Sequence, residues 1–272
     1  MNNLFDIENK IIVITGGTGV LGGCAARNLV ELGAKVVVLG RDLSKALKKA
    51  NELNSFSPNS ALGLETNILS EKSLNDVKNK IIAHYGKVDV LINAAGGNMS
   101  GATIGEHQTI FDLSMEDFQK VTDLNLNGTV LPSLVFGKVM ANQKEGVIIN
   151  YSSMAVDRAI TRVVGYSASK AAMENFTRWM AVELATKFGG NIRVNAIAPG
   201  FFIGNQNREL LTNSDGSYTQ RGQTIINNTP MKRFGNADEL NGIIQLLCSD
   251  ASKFITGTVI PVDGGFSAFS GV

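Results

Sequence analysis

Residues 11–22 read Ile11-Ile-Val-Ile-Thr-Gly-Gly-Thr-Gly-Val-Leu-Gly22. A β-branched run with polar residues before it and glycines after it predicts a strand buried on both faces, since a strand covered by helices has no polar side to alternate with. From Val20 to Leu32 the apolar residues recur at helical spacing, so strand, glycine turn and helix follow one another. Gly17, Gly19 and Gly22 keep the G-x-G-x-x-G spacing, whose glycines permit a tight turn, admit a pyrophosphate to the backbone and let the helix lie close on the strand. The helix N-terminus then offers free N–H groups and a dipole to an anion. Such a turn also occurs as plain structure, and its surroundings decide between the two.

The rest of the chain continues the alternation. Residues 35–39, 61–66, 88–96, 146–151 and 192–197 read as further strands, with a last strand and its turn within 255–265. Helical patterns lie between them at 43–53, 71–85, 166–187 and 230–250, and one over 114–140 is interrupted by Gly128 and Pro132. The order predicts an α/β fold, one doubly wound parallel sheet with helices on both faces, as a single domain over residues 1–272. Two stretches stand outside the pattern. Residues 97–109 are a long, polar connection, and residues 201–228 are rich in Asn, Gln and Gly without a period, as a substrate loop or lid would be.

Composition narrows the partners. Across 272 residues, 25 Lys and Arg face 24 Asp and Glu, and a net charge of +1 supplies no field for nucleic acid or an anionic membrane. No run reaches the ~18 apolar residues of a membrane helix, and the start has no basic segment ahead of an apolar core. Cys24 and Cys248 sit in apolar helical segments without disulfide or zinc spacing. The expectation is a cytoplasmic protein acting on a small molecule, with no nucleic acid, membrane or metal.

In an open parallel sheet, ligands bind beyond the carboxyl ends of the strands, so the residues following each strand carry the functional reading. After the second strand comes Gly40-Arg41-Asp42. A guanidinium there grips a 2′-phosphate, whereas an acid accepts bonds from the ribose. Arg41 favours NADP, and the adjacent Asp42 leaves NAD open. Asn67-Ile68 fall where an adenine edge would be touched, and Asn93-Ala-Ala-Gly96 and Pro199-Gly200 let the chain pass close beneath a ligand. Ser152-Ser153 place hydroxyls at the end of the fifth strand. Asn125 falls beside the helix interruption, where an amide is exposed or makes a specific bond. Tyr166-Ser-Ala-Ser-Lys170 opens the next helix, with phenol and ammonium one turn apart on one face. A nearby cation favours the phenolate and draws its pKa below the usual ~10, which would let Tyr166 trade a proton with a substrate oxygen. Taken alone, the same pair is an ordinary amphipathic face.

Taken in order, the turn at 15–22, Asn93-Ala-Ala-Gly96, Asn125, Ser152-Ser153, Tyr166-x-x-x-Lys170, Pro199-Gly200 and Val262-Asp-Gly-Gly265 resemble the short-chain dehydrogenase/reductase family over nearly the whole chain. The resemblance implies a seven-stranded Rossmann sheet, an NADP or NAD cofactor, oxidoreduction of CH–OH groups and a homotetramer. It implies that Ser153 polarises the substrate oxygen, Tyr166 is the acid/base, Lys170 tunes it and binds the nicotinamide ribose, and Asn125 holds a relay water. Ser152 is the alternative to Ser153. Toward the cofactor it places Gly16, Gly17, Thr18, Gly19, Leu21, Arg41, Asn67, Ile68, Asn93, Ala95, Gly96, Tyr166, Lys170, Pro199 and Gly200. Val20, Asn67 and Gly204 depart from the family's usual glycine, aspartate and threonine.

Within the family, Ala95-Gly-Gly-Asn98, Phe111-Asp-Leu, Leu131-Pro, residues 166–179 and the stretch from Pro199 to Arg208 are similar to the sugar-acid branch, D-mannonate oxidoreductases (fructuronate reductases). That likeness implies a substrate bearing one carboxylate and several hydroxyls, facing Ser153 and loops that carry Asn98, Arg158, Arg162, Gln206, Asn207 and Arg208. A guanidinium fork matches a carboxylate, and Arg162 or Arg208 is the expected partner. Another sugar, a polyol or a 3-oxoacyl thioester is the alternative substrate, and a nicotinamide-binding sensor without turnover the alternative class.

Overall fold

The computed structural model describes residues 3–204 and 207–271. The opening run forms β1 (Ile11–Thr15), which the glycine turn joins to α1 (Val20–Glu31). Next come β2 (Lys35–Gly40), α2 (Leu43–Phe56), β3 (Ala61–Glu65), α3 (Glu71–Tyr85) and β4 (Val90–Asn93). The middle of the chain holds α4 (Met115–Thr122), α5 (Gly128–Gln143), β5 (Gly146–Tyr151), α6 (Val164–Phe188) and β6 (Ile192–Pro199). The last part holds α7 (Arg208–Leu211), α8 (Gln220–Asn227), α9 (Asn241–Cys248) and β7 (Val259–Val262). The strands form one parallel sheet in the order β3-β2-β1-β4-β5-β6-β7.

The strands read as continuous apolar runs because alternate residues serve two cores. Ile12, Ile14, Val36, Val38, Ile92 and Ile149 face α1 and α9, where Ala26, Leu29, Ile244 and Leu247 receive them. Val13, Val37, Leu91, Ile148 and Val194 face the other way, onto Leu74 and Ile81 of α3, Phe136 and Met140 of α5, and Met180 of α6. Burying either set stabilises the fold by about 1.5–3 kcal/mol per large side chain. The two helical layers cover both faces of the sheet, and its carboxyl edge is left to the loops.

The helices begin where the sequence supplies acceptors: Asp42, Ser70, Ser114 and Thr219 cap α2, α3, α4 and α8 by accepting backbone N–H groups. Two expectations change. The pattern over 114–140 is two helices, α4 and α5, joined by a π turn (Asp123–Asn127). The stretch 201–228 carries α7 and α8, with Leu211, Ile225, Ile226 and Phe234 packed as a small core of their own. Among the described residues no helix is long and apolar enough to cross a membrane, and no cluster of three metal-ligating side chains occurs.

Candidate active site

The chain reverses direction across the sheet between β1 and β4, and an open α/β sheet binds ligands at the carboxyl ends on either side of such a point. Register aligns the strand ends: Thr15 pairs with Asn93, Asn93 with Asn150, and Tyr151 with Ile197. The segments after these strands therefore stand along one edge.

On the first of them, Gly16 has φ +68°, and a Cβ there would lie 2.7 Å from Ala95 N. A Cβ on Gly22 would lie 2.6 Å from Gly16 O, so α1 rests directly on the turn. Gly19 caps α1 without a side chain, and no acid stands in the first helical turn. The first N–H groups and the positive dipole end are thus left to an anion, a donor set that fits a dinucleotide pyrophosphate. Gly17 packs on Val38 and Ile14, Thr18 packs on Gly40, and Leu21 rests on the core behind them.

Arg41 is exposed beyond β2. Asp42 is not free in the way its neighbour is: its Oδ1 accepts from Lys45 N at 3.1 Å, and these cap bonds hold its carboxyl below the ordinary range. Asn67 is exposed, its Oδ1 accepting from Leu69 N at 3.0 Å. The side chains of Ile68 and Asn93 are engaged within the fold. Ile68 is buried, and its Cδ1 fills the space beside Gly128. Asn93 donates to Ser133 Oγ and Asn150 Oδ1, both at 2.9 Å, and Asn150 in turn donates to Thr177 Oγ1 at 2.8 Å. That buried chain fastens β4 and β5 to α5 and α6.

Asn125 is buried in the π turn. Its amide nitrogen donates to Gly97 O and Val121 O at 2.8 Å, and its Oδ1 accepts from Gly97 N at 2.9 Å. A Cβ on Gly96 would lie 2.7 Å from Asn125 Oδ1 and 3.3 Å from Lys170 Nζ, so amide and ammonium converge on this glycine. Lys170 is buried, donates to Tyr151 O at 2.6 Å and keeps its Nζ 5.6 Å from the centre of the Tyr166 ring. Burial pushes its amine down to about 8, and Glu174 opposes the shift.

The expected lowering of the Tyr166 pKa is overturned for the ligand-free protein. Burial pushes this phenol up, and a hydrogen bond with Ser153 works against the rise. The ammonium bonds a carbonyl instead of the phenol, so desolvation outweighs charge. The two serines separate. Ser152 Oγ donates to Glu174 Oε1 at 2.5 Å, behind the sheet edge, while Ser153 shares its hydrogen bond with Tyr166 and accepts from Ala155 N at 3.2 Å.

Glu174 was not among the expected site residues. It is buried, pairs with Arg178 at 3.2 Å and lies one turn beyond Lys170. The signal was in the sequence, as the Lys170-x-x-x-Glu174 spacing.

On the substrate side, Asn98 donates to Thr103 Oγ1 at 2.6 Å, and its Oδ1 is buried without a partner. Arg162 donates from Nε to Ile104 O at 2.7 Å. Arg158 is drawn off to the chain's end, where its Nε donates to Ser267 O at 3.0 Å. Arg208 is exposed at the start of α7, and among the described residues no hydrogen bond joins its guanidinium to this cluster. Asn207 shapes its own turn, accepting from Gly204 N at 2.7 Å and donating to Phe202 O at 2.9 Å. Gln206 lies outside the described residues. Gly200, after Pro199, packs on Asp263 and donates to Val262 O at 2.9 Å, closing the edge on the β7 side.

Known proteins resemble this chain in sequence and fold. A family model described as enoyl-(acyl carrier protein) reductase matches residues 19–267. UxuB of Bacillus subtilis, an uncharacterized oxidoreductase, is 42% identical, with 98% of each chain covered. The 2-dehydro-3-deoxy-D-gluconate 5-dehydrogenase of Formosa agariphila is 33% identical over 99% of this chain and 97% of its own. A crystal structure of a Haemophilus influenzae protein, provisionally assigned as a D-mannonate oxidoreductase and holding NAD, is 42% identical and covers 98% of each chain with a TM-score of 0.90.

Proposed function

The chain belongs to the short-chain dehydrogenase/reductase family, oxidoreductases of alcohol and keto groups, and on that footing we propose that its substrate is a sugar acid, with D-fructuronate and D-mannonate as the keto and hydroxy pair. The observation that carries the chemistry is the gathering of Tyr166, Ser153, whose hydroxyl works against the rise of the phenol's pKa, and the buried ammonium of Lys170 5.6 Å from the phenol ring. The sugar-acid reading is supported by the names of the Haemophilus and Formosa proteins and by the polar loops that bring Asn98 and Arg162 to this edge.

When bound, the nicotinamide supplies the hydride in reduction and accepts it in oxidation. Gly16, Gly17, Thr18, Gly19 and Leu21 would hold its pyrophosphate, Asn67 and the Ile68 backbone its adenine, and Ala95, Gly96, Lys170, Pro199 and Gly200 its nicotinamide half. Arg41 favours a 2′-phosphate and so NADP, while the NAD held by the Haemophilus relative favours NAD. In reduction Tyr166 donates its proton to the substrate oxygen, and Ser153 hydrogen-bonds the same oxygen as charge grows there. A phenol raised by burial keeps its proton until that charge appears. Lys170 returns the positive charge that Tyr166 needs once it has become phenolate, and the Asn125 carbonyl would carry the relay water. A homotetramer belongs to this reading, supported by the exposed Trp179 and Val182 on α6, and light scattering checks it.

Likeness to the 3-oxoacyl-[acyl-carrier-protein] reductase of Aquifex aeolicus, 31% identical over 95% of this chain, favours a second reading, a 3-oxoacyl thioester substrate. Loss of NADPH and NADH absorbance, measured with D-fructuronate, neutral ketoses and 3-oxoacyl thioesters beside a Tyr166→Phe control, decides between them. Keto-uronate turnover that falls by about 10²–10⁴ in the control supports the proposal. Turnover of thioesters alone replaces the substrate, and undiminished turnover in Tyr166→Phe removes Tyr166 as the acid.

A further inference from the structure

Two arginines from separate loops meet where the connections leaving β4, β5 and β6 converge. Arg221, on α8 after β6, reaches Thr161 with one Nη 3.4 Å from the hydroxyl and the other 3.4 Å from the carbonyl. Arg162 is the next residue along, and its Nε is anchored on Ile104 O, in the loop after β4. The Ile104 amide bonds the Arg162 carbonyl in return, at 3.0 Å. Both side chains are half-buried; burial lowers the pKa of Arg221, and the charge of Arg162 adds to the lowering. Among the described residues neither guanidinium has a carboxylate partner. Arg162 also holds φ +77°, a backbone conformation that residues other than glycine seldom keep.

Like charges at close quarters repel, and partial burial strengthens the repulsion, unless an anion lies between them. Two planar forks carried to one place suit one planar carboxylate, which accepts from both. Arg162 lies four residues before Tyr166, in the turn that leads into α6, so an anion held here stands at the phenol's end of that helix. We propose that Arg162 and Arg221 together form the subsite for the substrate's carboxylate, an assignment that rests on the sugar-acid reading. A neutral sugar or a thioester carbonyl has no group for it. Because Arg221 stands on α8, the bound carboxylate also ties the helix of the 201–228 segment to the loop in front of α6.

The test is calorimetric titration of D-mannonate and of its neutral counterpart D-mannitol into the NADH complex, where no turnover occurs. Wild type, Arg221→Gln, Arg162→Gln and Arg221→Lys are compared after their melting curves establish folding. The wild type is expected to prefer the acid, and each glutamine variant to lose about tenfold or more of that preference. Arg221→Lys keeps a point charge without the fork and falls between. Equal affinity for acid and alcohol in the wild type, or an unchanged preference in both glutamine variants, overturns the subsite. A protein that binds D-mannonate through Arg221 but turns over only ketoses or thioesters overturns the proposed reaction and leaves the subsite standing. Reduction of D-fructuronate with the same kcat/KM in Arg221→Gln does the reverse.

Discussion

Ser152 and Glu174 are joined by a 2.5 Å hydrogen bond, and Glu174 stands one helical turn beyond Lys170. Burial raises the Glu174 carboxyl, while Ser152 and Arg178 draw it down. Its charge is in turn what opposes the depression of Lys170. A buried acid with no place at the substrate thus supports the ammonium that has one. Glu174→Gln preserves the shape and removes the charge, so the Lys170 amine should fall further below about 8. The alkaline limb of the kcat/KM profile then moves to lower pH, with a loss of about threefold to tenfold at pH 8. A pH profile superimposable on that of the wild type would show that Glu174 only fills space.

The neighbouring serines should differ sharply. Ser153→Ala removes the hydroxyl bonded to Tyr166 and is expected to lower kcat/KM by about 10²–10³-fold. Ser152→Ala leaves that bond in place and acts through Glu174, so its expected mark is a shifted pH profile with a far smaller loss. Steady-state rates of both variants across pH 6–10 check the distinction, and losses of equal size would refute it.

The strands, their order and the converging edge were legible because alternation and glycine turns are written directly in the residues. Alternation also carries the direction of two polar side chains. Asn93 shares the parity of Leu91, and Ser152 that of Ile148 and Asn150, so both point toward α5 and α6 instead of the crevice. The π turn around Asn125 showed only as an interruption, since a hydrogen bond one residue longer leaves no mark in composition. Helix α8 is hard to read from sequence because it is short: its buried positions Gly222, Ile225 and Ile226 keep helical spacing but span little more than one turn. The direction of the Tyr166 shift needed the structure, because spacing reveals a neighbouring charge but not how deeply the phenol is buried or where the ammonium points.

Gly96→Ala tests the convergence of Asn125 and Lys170. Its Cβ would come within 2.7 Å of Asn125 Oδ1 and 3.3 Å of Lys170 Nζ, and neither group has free space to move into, since both are buried and bonded. The fold should survive with about 1–3 kcal/mol less stability, while kcat falls at least ~10-fold as both groups shift. Gly242→Ala on α9, where nothing lies within 4 Å of the added carbon, should stabilise the protein by about 0.5–1 kcal/mol. Wild-type kcat in Gly96→Ala would place the two groups farther apart than they stand here.

Lys170 should trade stability for function. Its amine titrates at about 8 when folded and at its ordinary 10.5 when unfolded, so between those values the unfolded chain binds more protons. Stability from this group therefore rises with pH across that window, and below about 8 the folded protein bears the whole penalty of a buried ammonium, roughly 3 kcal/mol. Lys170→Met keeps the stem and removes the charge, at the cost of the bond to Tyr151 O, about 1–2 kcal/mol. The ligand-free variant should gain about 1 kcal/mol at pH 7, or roughly 2–4 °C in Tm, and fall below the wild type near pH 10, where the unburdened lysine retains its hydrogen bond. Oxidoreductase activity at pH 7 should drop by at least ~10², because the phenolate loses its cation. Melting curves at pH 7 and pH 10 decide the matter: a variant less stable than the wild type at pH 7 would mean that Lys170 is held in the fold at a net gain, and that its depressed pKa is not a stored cost.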